Sequence, residues 1–369
     1  MKITKVTLHH LQMQLRSPFE TSFGRIQTRD CILLEAHAAG LIGYGECVAD
    51  RDPGFSYETT QTAWHVLSEF LIPSILDKEL HNAEELQACL SSVRGHPMAK
   101  AGLEMSLWDL LGKASGQSLQ TMLGGELSKV QVGVSVGLQA SPQALVETVQ
   151  GYLAQGYTRI KIKIKPGRDV MDAQAVRQAF PDLRLQVDAN SAYTLESASS
   201  ALKPLDELNL LLIEQPLSED DLWDHSRLQS QFETPLCLDE SILSARHARQ
   251  ALEMGACKVI NIKSGRVGGL SQSVAIHDLC QVRGVPVWCG GMLETGVGRA
   301  ANLALASLPN FRLPGDISAT ERYYYEDITD QQFSLNSDST ITVPQAPGLG
   351  ITVDPQKLRR VTLDKKTIP

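Results

Sequence analysis

The sequence predicts an α/β fold: a parallel (β/α) barrel behind an N-terminal α+β capping domain, with the C-terminal tail completing the cap. Three observations carry this. Strand-like runs give way to helical ones over residues 1–123. From 124 to about 318, short apolar runs alternate with helical patterns, as repeating βα units do. Residues 323–369 have no place in eight such units and are expected to pack back on the cap. The expected division is therefore 1–123, 124–322 and 323–369. An open doubly wound sheet also alternates strand and helix, but no GxGxxG follows the first strand.

Taken in order, ITKVTLHHLQM and DCILLEAHA read as strands, with a turn at 40–45. TTQTAWHVLSEFLIPSIL, NAEELQACLSSV and AKAGLEMSLWDLLGKASG repeat apolar residues at helical intervals, and the last ends at a glycine. The chain changes character at Leu123-Gly124-Gly125. Eight strands are expected beyond it, at 130–137, 159–164, 184–190, 210–216, 235–241, 258–263, 285–291 and 311–318. Helical segments such as SPQALVETVQGYLAQG and SARHARQALEMG separate them.

Composition narrows the class without naming a function. A 369-residue chain is too long for one small core. Its 34 basic and 42 acidic residues give a net charge of -8, which argues against nucleic acid or an anionic membrane as partner. No apolar run approaches the roughly 20 residues that span a bilayer, and the N-terminus lacks a signal-peptide block. Seven scattered cysteines form no CxxC pair, so reduced thiols in a cytoplasmic protein are expected.

The chemistry lies in a register. Lys163, Asp188, Glu214, Asp239 and Lys263 stand at the C-terminal ends of five successive expected strands, 25, 26, 25 and 24 residues apart. In a βα barrel those ends share one mouth, where active sites form. Strand parity agrees. Ile160, Ile162 and Ile164 oppose Lys161 and Lys163; Leu185 and Val187 oppose Gln186, Asp188 and Asn190; Ile260 and Ile262 oppose Asn261 and Lys263. Each motif alone has a bland explanation: KIKIK as a solvated edge strand, DAN as a turn, DES as a helix cap. Together they do not. Three carboxylates converging on one mouth repel one another, so a cation must sit among them. Oxygen donors without Cys or His favour a hard ion, Mg²⁺ before Zn²⁺.

These parts suit proton abstraction beside a carboxylate. A cation held by the acids stabilises the charge that develops on the substrate carboxylate. A lysine acting as base must be neutral near pH 7, and Lys161 is a like charge on the strand face of Lys163. Lys263, across the mouth, is placed as a second acid/base or as a stabilising ammonium. The expected partner is a small-molecule carboxylate, and a homo-oligomer is expected.

KIKIK, DAN, EQP, DES and KSGRVGG in this order resemble the enolase superfamily, in its muconate-lactonizing-enzyme-like branch, from end to end. The resemblance implies an enolase-type modified TIM barrel. It implies Asp188, Glu214 and Asp239 as Mg²⁺ ligands (Mn²⁺ as substitute), Lys163 as acid/base, Lys161 as its electrostatic partner, and Lys263 opposite. Within the branch, the chain is similar to o-succinylbenzoate synthases that are often also N-succinylamino acid racemases. That implies syn dehydration of 2-succinyl-6-hydroxy-2,4-cyclohexadiene-1-carboxylate for menaquinone synthesis. SPFETSFG is similar to a mobile substrate-covering loop in which Phe19 and Phe23 seal the pocket; a plain hairpin turn is the alternative. Ser135 in GVSVG is implied to hold the succinyl group, and Asn190 to contact substrate. Arg266 in KSGRVGG is implied to accompany racemisation, and Leu293 in GGMLETGVGR to touch an apolar substrate group.

Rival readings are a dipeptide epimerase, a muconate cycloisomerase and a non-catalytic metabolite-binding barrel. The epimerases have D-x-D at the eighth strand end, where this chain has Asp316-Ile317-Ser318. A His–Asp site is disfavoured because His277 lies within a helical pattern.

Overall fold

The structure, a computed structural model, describes residues 1–22 and 24–369. Phe23 lies outside the described residues. The N-terminal unit opens with β1 (Lys5–Thr21), β2 (Gly24–Ala38) and β3 (Leu41–Cys47). Strand β1 alternates buried and open positions along much of its length, because one face packs on helices and the other does not. The helices are α1 (Thr60–Val66), α2 (Ala83–Leu90), α3 (Pro97–Ser115) and α4 (Leu119–Leu123). Helix α3 begins with Pro97 and ends at Gly116 in the left-handed conformation, where a side chain is strained. It lies so close to β3 that a Cβ on Gly45 would meet the Gly102 carbonyl at 2.0 Å. That contact locks helix to sheet.

The barrel strands are β5 (Val134–Val136), β6 (Arg159–Lys163), β7 (Arg184–Asp188), β8 (Ile213–Glu214), β9 (Leu236–Leu238), β10 (Val259–Ile262) and β11 (Val287–Cys289). All pair in parallel and in chain order. Between and after them run α5 (Pro142–Ala154), α6 (Asp169–Ala179), α7 (Leu195–Ala201), α8 (Leu222–Gln229), α9 (Ala245–Glu253), α10 (Ser264–Val267), α11 (Leu270–Val282) and α12 (Gly296–Ala306). The outward isoleucines 160, 162 and 164 are fully buried under the helices. A small separate cluster of Leu212, Cys237, Val259 and Trp288 fills the inside.

Two expected strands differ. Residues 311–318 are not a strand. Only single bridges, Phe311 to Val287 and Gly315 to Val132, close the barrel there. Pro314 lacks the N–H that a continuous ladder needs. The expected run 130–137 is two elements. β4 (Lys129–Gln131) pairs antiparallel with β12 (Thr340–Thr342), and only β5 joins the barrel. The break falls at Gly133, whose Cα abuts the Arg159 guanidinium so closely that a Cβ would stand 2.4 Å from Nε.

The tail returns through α13 (Pro355–Val361) to β13 (Thr362–Ile368), which pairs antiparallel with β1 and makes the order β13-β1-β2-β3. Beyond a register shift at Gln14/Phe19, β1 and β2 continue as a hairpin. The segment expected as a loop is thus mostly strand. It lies on the barrel mouth through Leu138 N–H to the Glu20 carbonyl (3.1 Å) and the Ser22 hydroxyl to the Asn190 carbonyl (3.1 Å).

Candidate active site

Strand register builds the site. Lys163 pairs with Asp188, and Asp188 with Glu214, so three of the five charged groups stand in one row across β6, β7 and β8. Asp239 follows β9, and Lys263 follows β10. Parity turns all of them, with Arg159, Lys161 and Asn261, to the inside. The backbone beyond the strands bends sharply. Asn190 (φ 43°), Ser191 (φ 61°) and Gln215 (φ 36°) are left-handed, a strained state for residues other than glycine. Gln215 is fixed there. Its Oε1 accepts from the Asp239 backbone (2.9 Å) and its Nε2 donates to Ser241 Oγ (2.7 Å).

The charges form one buried network. Lys161 Nζ stands 2.9 Å from Glu214, 3.0 Å from Asp188 and 2.7 Å from Asp316. Lys163 Nζ donates to Asp188 (2.6 Å) and to Asn190 Oδ1 (2.7 Å). Lys263 Nζ donates to Asp239 Oδ2 (2.7 Å). Burial opposes charge on Lys161, but Asp316, Glu214 and Asp188 outweigh it and hold the ammonium well above its ordinary range. Asp188 is held far below the usual carboxylate range, since Lys163 and Lys161 overcome its burial. Glu214 goes the other way, pushed well up by burial and by Asp188. Glu240 is pushed up to about 7 by burial, then by Asp239 and Asp188.

Asp188, Glu214 and Asp239 are the residues that could hold a cation: hard oxygen donors without sulfur or imidazole. Among the described residues, no three acidic, His or Cys side chains are gathered as a metal site, and lysine amines stand against an oxygen of each of the three acids. Asp188 and Glu214 already share one positive group, the Lys161 ammonium, at 3.0 and 2.9 Å.

A cavity of about 210 Å³ lies above this network, reached by Lys161, Lys163, Lys263, Asn190, Ser135 and Asp316. The cap supplies its roof. The Phe19 ring lies 6.0 Å from Lys163 Nζ, and the Phe55 ring 4.3 Å from Lys263 Nζ. Leu293, at φ 57°, is in the wall. The Ser135 hydroxyl is buried without a protein partner and faces the cavity. Asn190 links three parts: its Oδ1 binds Lys163, its Nδ2 donates to Glu240 (2.9 Å), and its carbonyl holds Ser22 of the hairpin.

Arg266 is in a different place from that expected of a substrate-binding residue. It does not line the cavity. It is fully buried beneath Asp239, pairing with that carboxylate and donating to the carbonyls of Ile242 (2.8 Å) and Asn261 (2.7 Å). Each of its three nitrogens donates to the scaffold, so it acts on Asp239, which in turn binds Lys263. His277 is a packed helix residue, stacked on Phe311 and accepting from Asn310 N–H (2.9 Å).

Sequence reasoning missed several neighbours. Arg159 shares the strand face of Lys161 and Lys163, so parity could have found it. It binds Asp316 (2.6 Å) and lies over Trp288. Asn261, which parity had put on the inner face with Lys263, donates to Glu214 (2.8 Å), a contact that parity does not give. Phe55 and Arg29 come from the cap, and nothing in their local sequence marks them. Arg29 Nε donates to the Met292 carbonyl (3.1 Å), clamping the seventh-strand loop.

Known proteins share this architecture. Residues 3–124 match the mandelate racemase / muconate lactonizing enzyme N-terminal domain, and residues 144–357 match the enolase C-terminal domain-like family. The o-succinylbenzoate synthase of Geobacillus kaustophilus is 51% identical over 98% of this chain and 96% of its own. The N-succinylamino acid racemase of an Amycolatopsis species is 48% identical over 99% of each chain. A crystal structure of an enolase superfamily member from Listeria innocua superposes with a TM-score of 0.96 at 41% identity, covering 100% of this chain and 99% of the other. With both halves matched and the likeness running end to end, the chain belongs to the enolase superfamily, in its mandelate racemase / muconate lactonizing enzyme group.

Proposed function

We propose that this enzyme is an o-succinylbenzoate synthase that also racemises N-succinylamino acids, with Lys163 and Lys263 acting from opposite sides of one bound carboxylate. The observation that carries this is the pair of lysines on the walls of one small cavity, in a chain similar over its whole length to relatives of both names.

Lys163 Nζ stands against Asp188 and Asn190 Oδ1 at the wall of the cavity, which places it beside a bound substrate. Lys163 takes the proton α to the substrate carboxylate. In dehydration it then returns that proton to the departing hydroxyl on the same face, releasing water. Lys263, held by Asp239 against the Phe55 ring, remains cationic beside the developing negative charge. In racemisation Lys263 delivers a proton to the opposite face, and the roles reverse for the other enantiomer. Asp188, Glu214 and Asp239 would hold Mg²⁺, with Mn²⁺ as substitute, and the bound ion would stabilise charge on the substrate carboxylate. Ser135, Phe19, Asn190 and Leu293 shape the remaining wall, and Phe23 is kept as a roof residue from its sequence position. An amine-recognising epimerase reaction is disfavoured, because both Asp316 oxygens are bound, one to Arg159 and one to Lys161.

We divide the chain at 1–123, 124–322 and 323–369, a reading supported by the change from antiparallel to parallel pairing and the return of β13 to β1. We place the protein in the cytoplasm, in menaquinone synthesis, as a homo-oligomer. Seven free cysteines support the compartment. The deciding experiment compares rates on the cyclohexadiene substrate and on a panel of N-succinylamino acids. Turnover of both by one site supports the proposal; turnover of neither removes it.

A further inference from the structure

We propose that a second cavity, outside the barrel mouth, binds a small organic dianion of the dicarboxylate or phosphate-ester class. The cavity has a volume of about 500 Å³, within the usual range for small-molecule sites. It is separate from the reacting pocket. Alternation along β1 puts Phe19 and Thr21 on the reacting side and Pro18 and Glu20 on the other. Arg25 alone reaches both.

Charge carries the assignment. Arg25, Lys165, Arg168 and Arg322 line the cavity, and Glu20 is its single acid. Arg168 is neutralised by Asp172 at 2.8 Å. Arg25, Lys165 and Arg322 make no ion pair among the described residues. The Arg322 guanidinium donates to the Ser135 carbonyl (3.1 Å) and lies over the Tyr152 and Tyr323 rings. Three unpaired cations against one acid leave an excess of two positive charges, on a chain whose net charge is -8. Arg25 and Lys165 are exposed at the rim and Arg322 is half-buried, so the concave site carries a positive potential that draws an anion in. Val136, Leu138 and the Tyr152 face add an apolar wall for the carbon body of a ligand.

The cations come from different parts of the fold. Arg25 belongs to the hairpin, Lys165 to the loop after β6, and Arg322 to the turn after the barrel. A dianion joining them therefore ties the hairpin to the barrel. Neither binding nor tethering needs turnover, so the inference stands apart from the proposed reaction.

The test is calorimetric titration of the full chain, with and without Mg²⁺, using inorganic phosphate and succinate as probes. One site per chain is expected for at least one probe, and whichever binds more tightly assigns the phosphate-ester or dicarboxylate class. Lys165→Ala should weaken that site about tenfold, the loss of one charged contact, and Lys263→Ala should leave it unchanged. Hydrogen exchange of the 17–25 amides should slow with the bound probe in the wild type and respond less in Lys165→Ala. Absence of binding by both probes overturns the inference. So does binding that Lys263→Ala abolishes and Lys165→Ala preserves.

Discussion

Lys163 has two acceptors for its amine protons, and Lys263 has a carboxylate on one side and an aromatic ring on the other. Their surroundings suit different tasks, proton abstraction and charge stabilisation. Lys163→Ala should lower both dehydration and racemisation by about 10³-fold or more, in line with loss of a general acid/base. Mg²⁺ binding should be nearly intact, since Asp188 keeps Lys161 as a partner. Wild-type-like turnover would remove Lys163 from the chemistry. Exhaustive chelation with EDTA should abolish activity, and Mg²⁺ or Mn²⁺ should restore it; full activity after chelation would dismiss the role given to the three acids. The five-residue register was legible because strand ends repeat every βα unit. Arg266, implied by its motif to accompany racemisation, lies in helix α10 under Asp239, the partner of Lys263, a depth that the motif by itself does not record.

At the scale of elements, the β1–β2 hairpin depends on a glycine. Gly137 follows β5, and a Cβ there would meet the Glu20 carbonyl at 2.9 Å and its N at 3.0 Å. Both atoms are backbone, so the hairpin itself must shift. Gly137→Ala should therefore reduce kcat/KM by about 10-fold to 100-fold, the cost of a roof displaced by about 1 Å. The melting temperature should change little, because the hairpin tip lies outside the main core. Steady-state kinetics and thermal melts on the same preparation check this; unchanged kcat/KM would show that the hairpin need not sit so close. Most strands and helices were legible from periodicity. The exceptions have local causes that periodicity does not register: Gly133 against Arg159 splits one expected strand, and Pro314 prevents another.

The whole molecule is joined through buried polar groups. Glu46 of β3 accepts from Thr295 N–H (3.1 Å), the Thr295 hydroxyl (2.6 Å) and Gly298 N–H (2.9 Å), so the cap binds the start of α12. Burial pushes Glu46 up to about 6, with Glu294 adding to the effect against the hydrogen bonds from Thr295. A carboxyl raised in the folded state stabilises it most at low pH. That contribution is fully present below about 4.5 and is lost as pH rises through 6. The loss amounts to about 2 kcal/mol. Unfolding measured at pH 5 and pH 8 should show this decline, and Glu46→Gln should make it shallower, leaving the part that the raised carboxyls of Glu58 and Glu240 contribute in the same window; an equal decline in the variant would assign all of it to other groups.

By itself, the sequence determined the barrel, its order of strands and the ring of five charged strand ends. Those features follow from periods of two and of one βα unit, which any local reading can count. Only the tertiary structure decided what those charges touch. Phe55, Arg29 and Glu46 reach the barrel from the cap, and Asp316 reaches Lys161 across the closure of the barrel. Contacts between distant segments depend on packing distances, and no spacing along the chain records them.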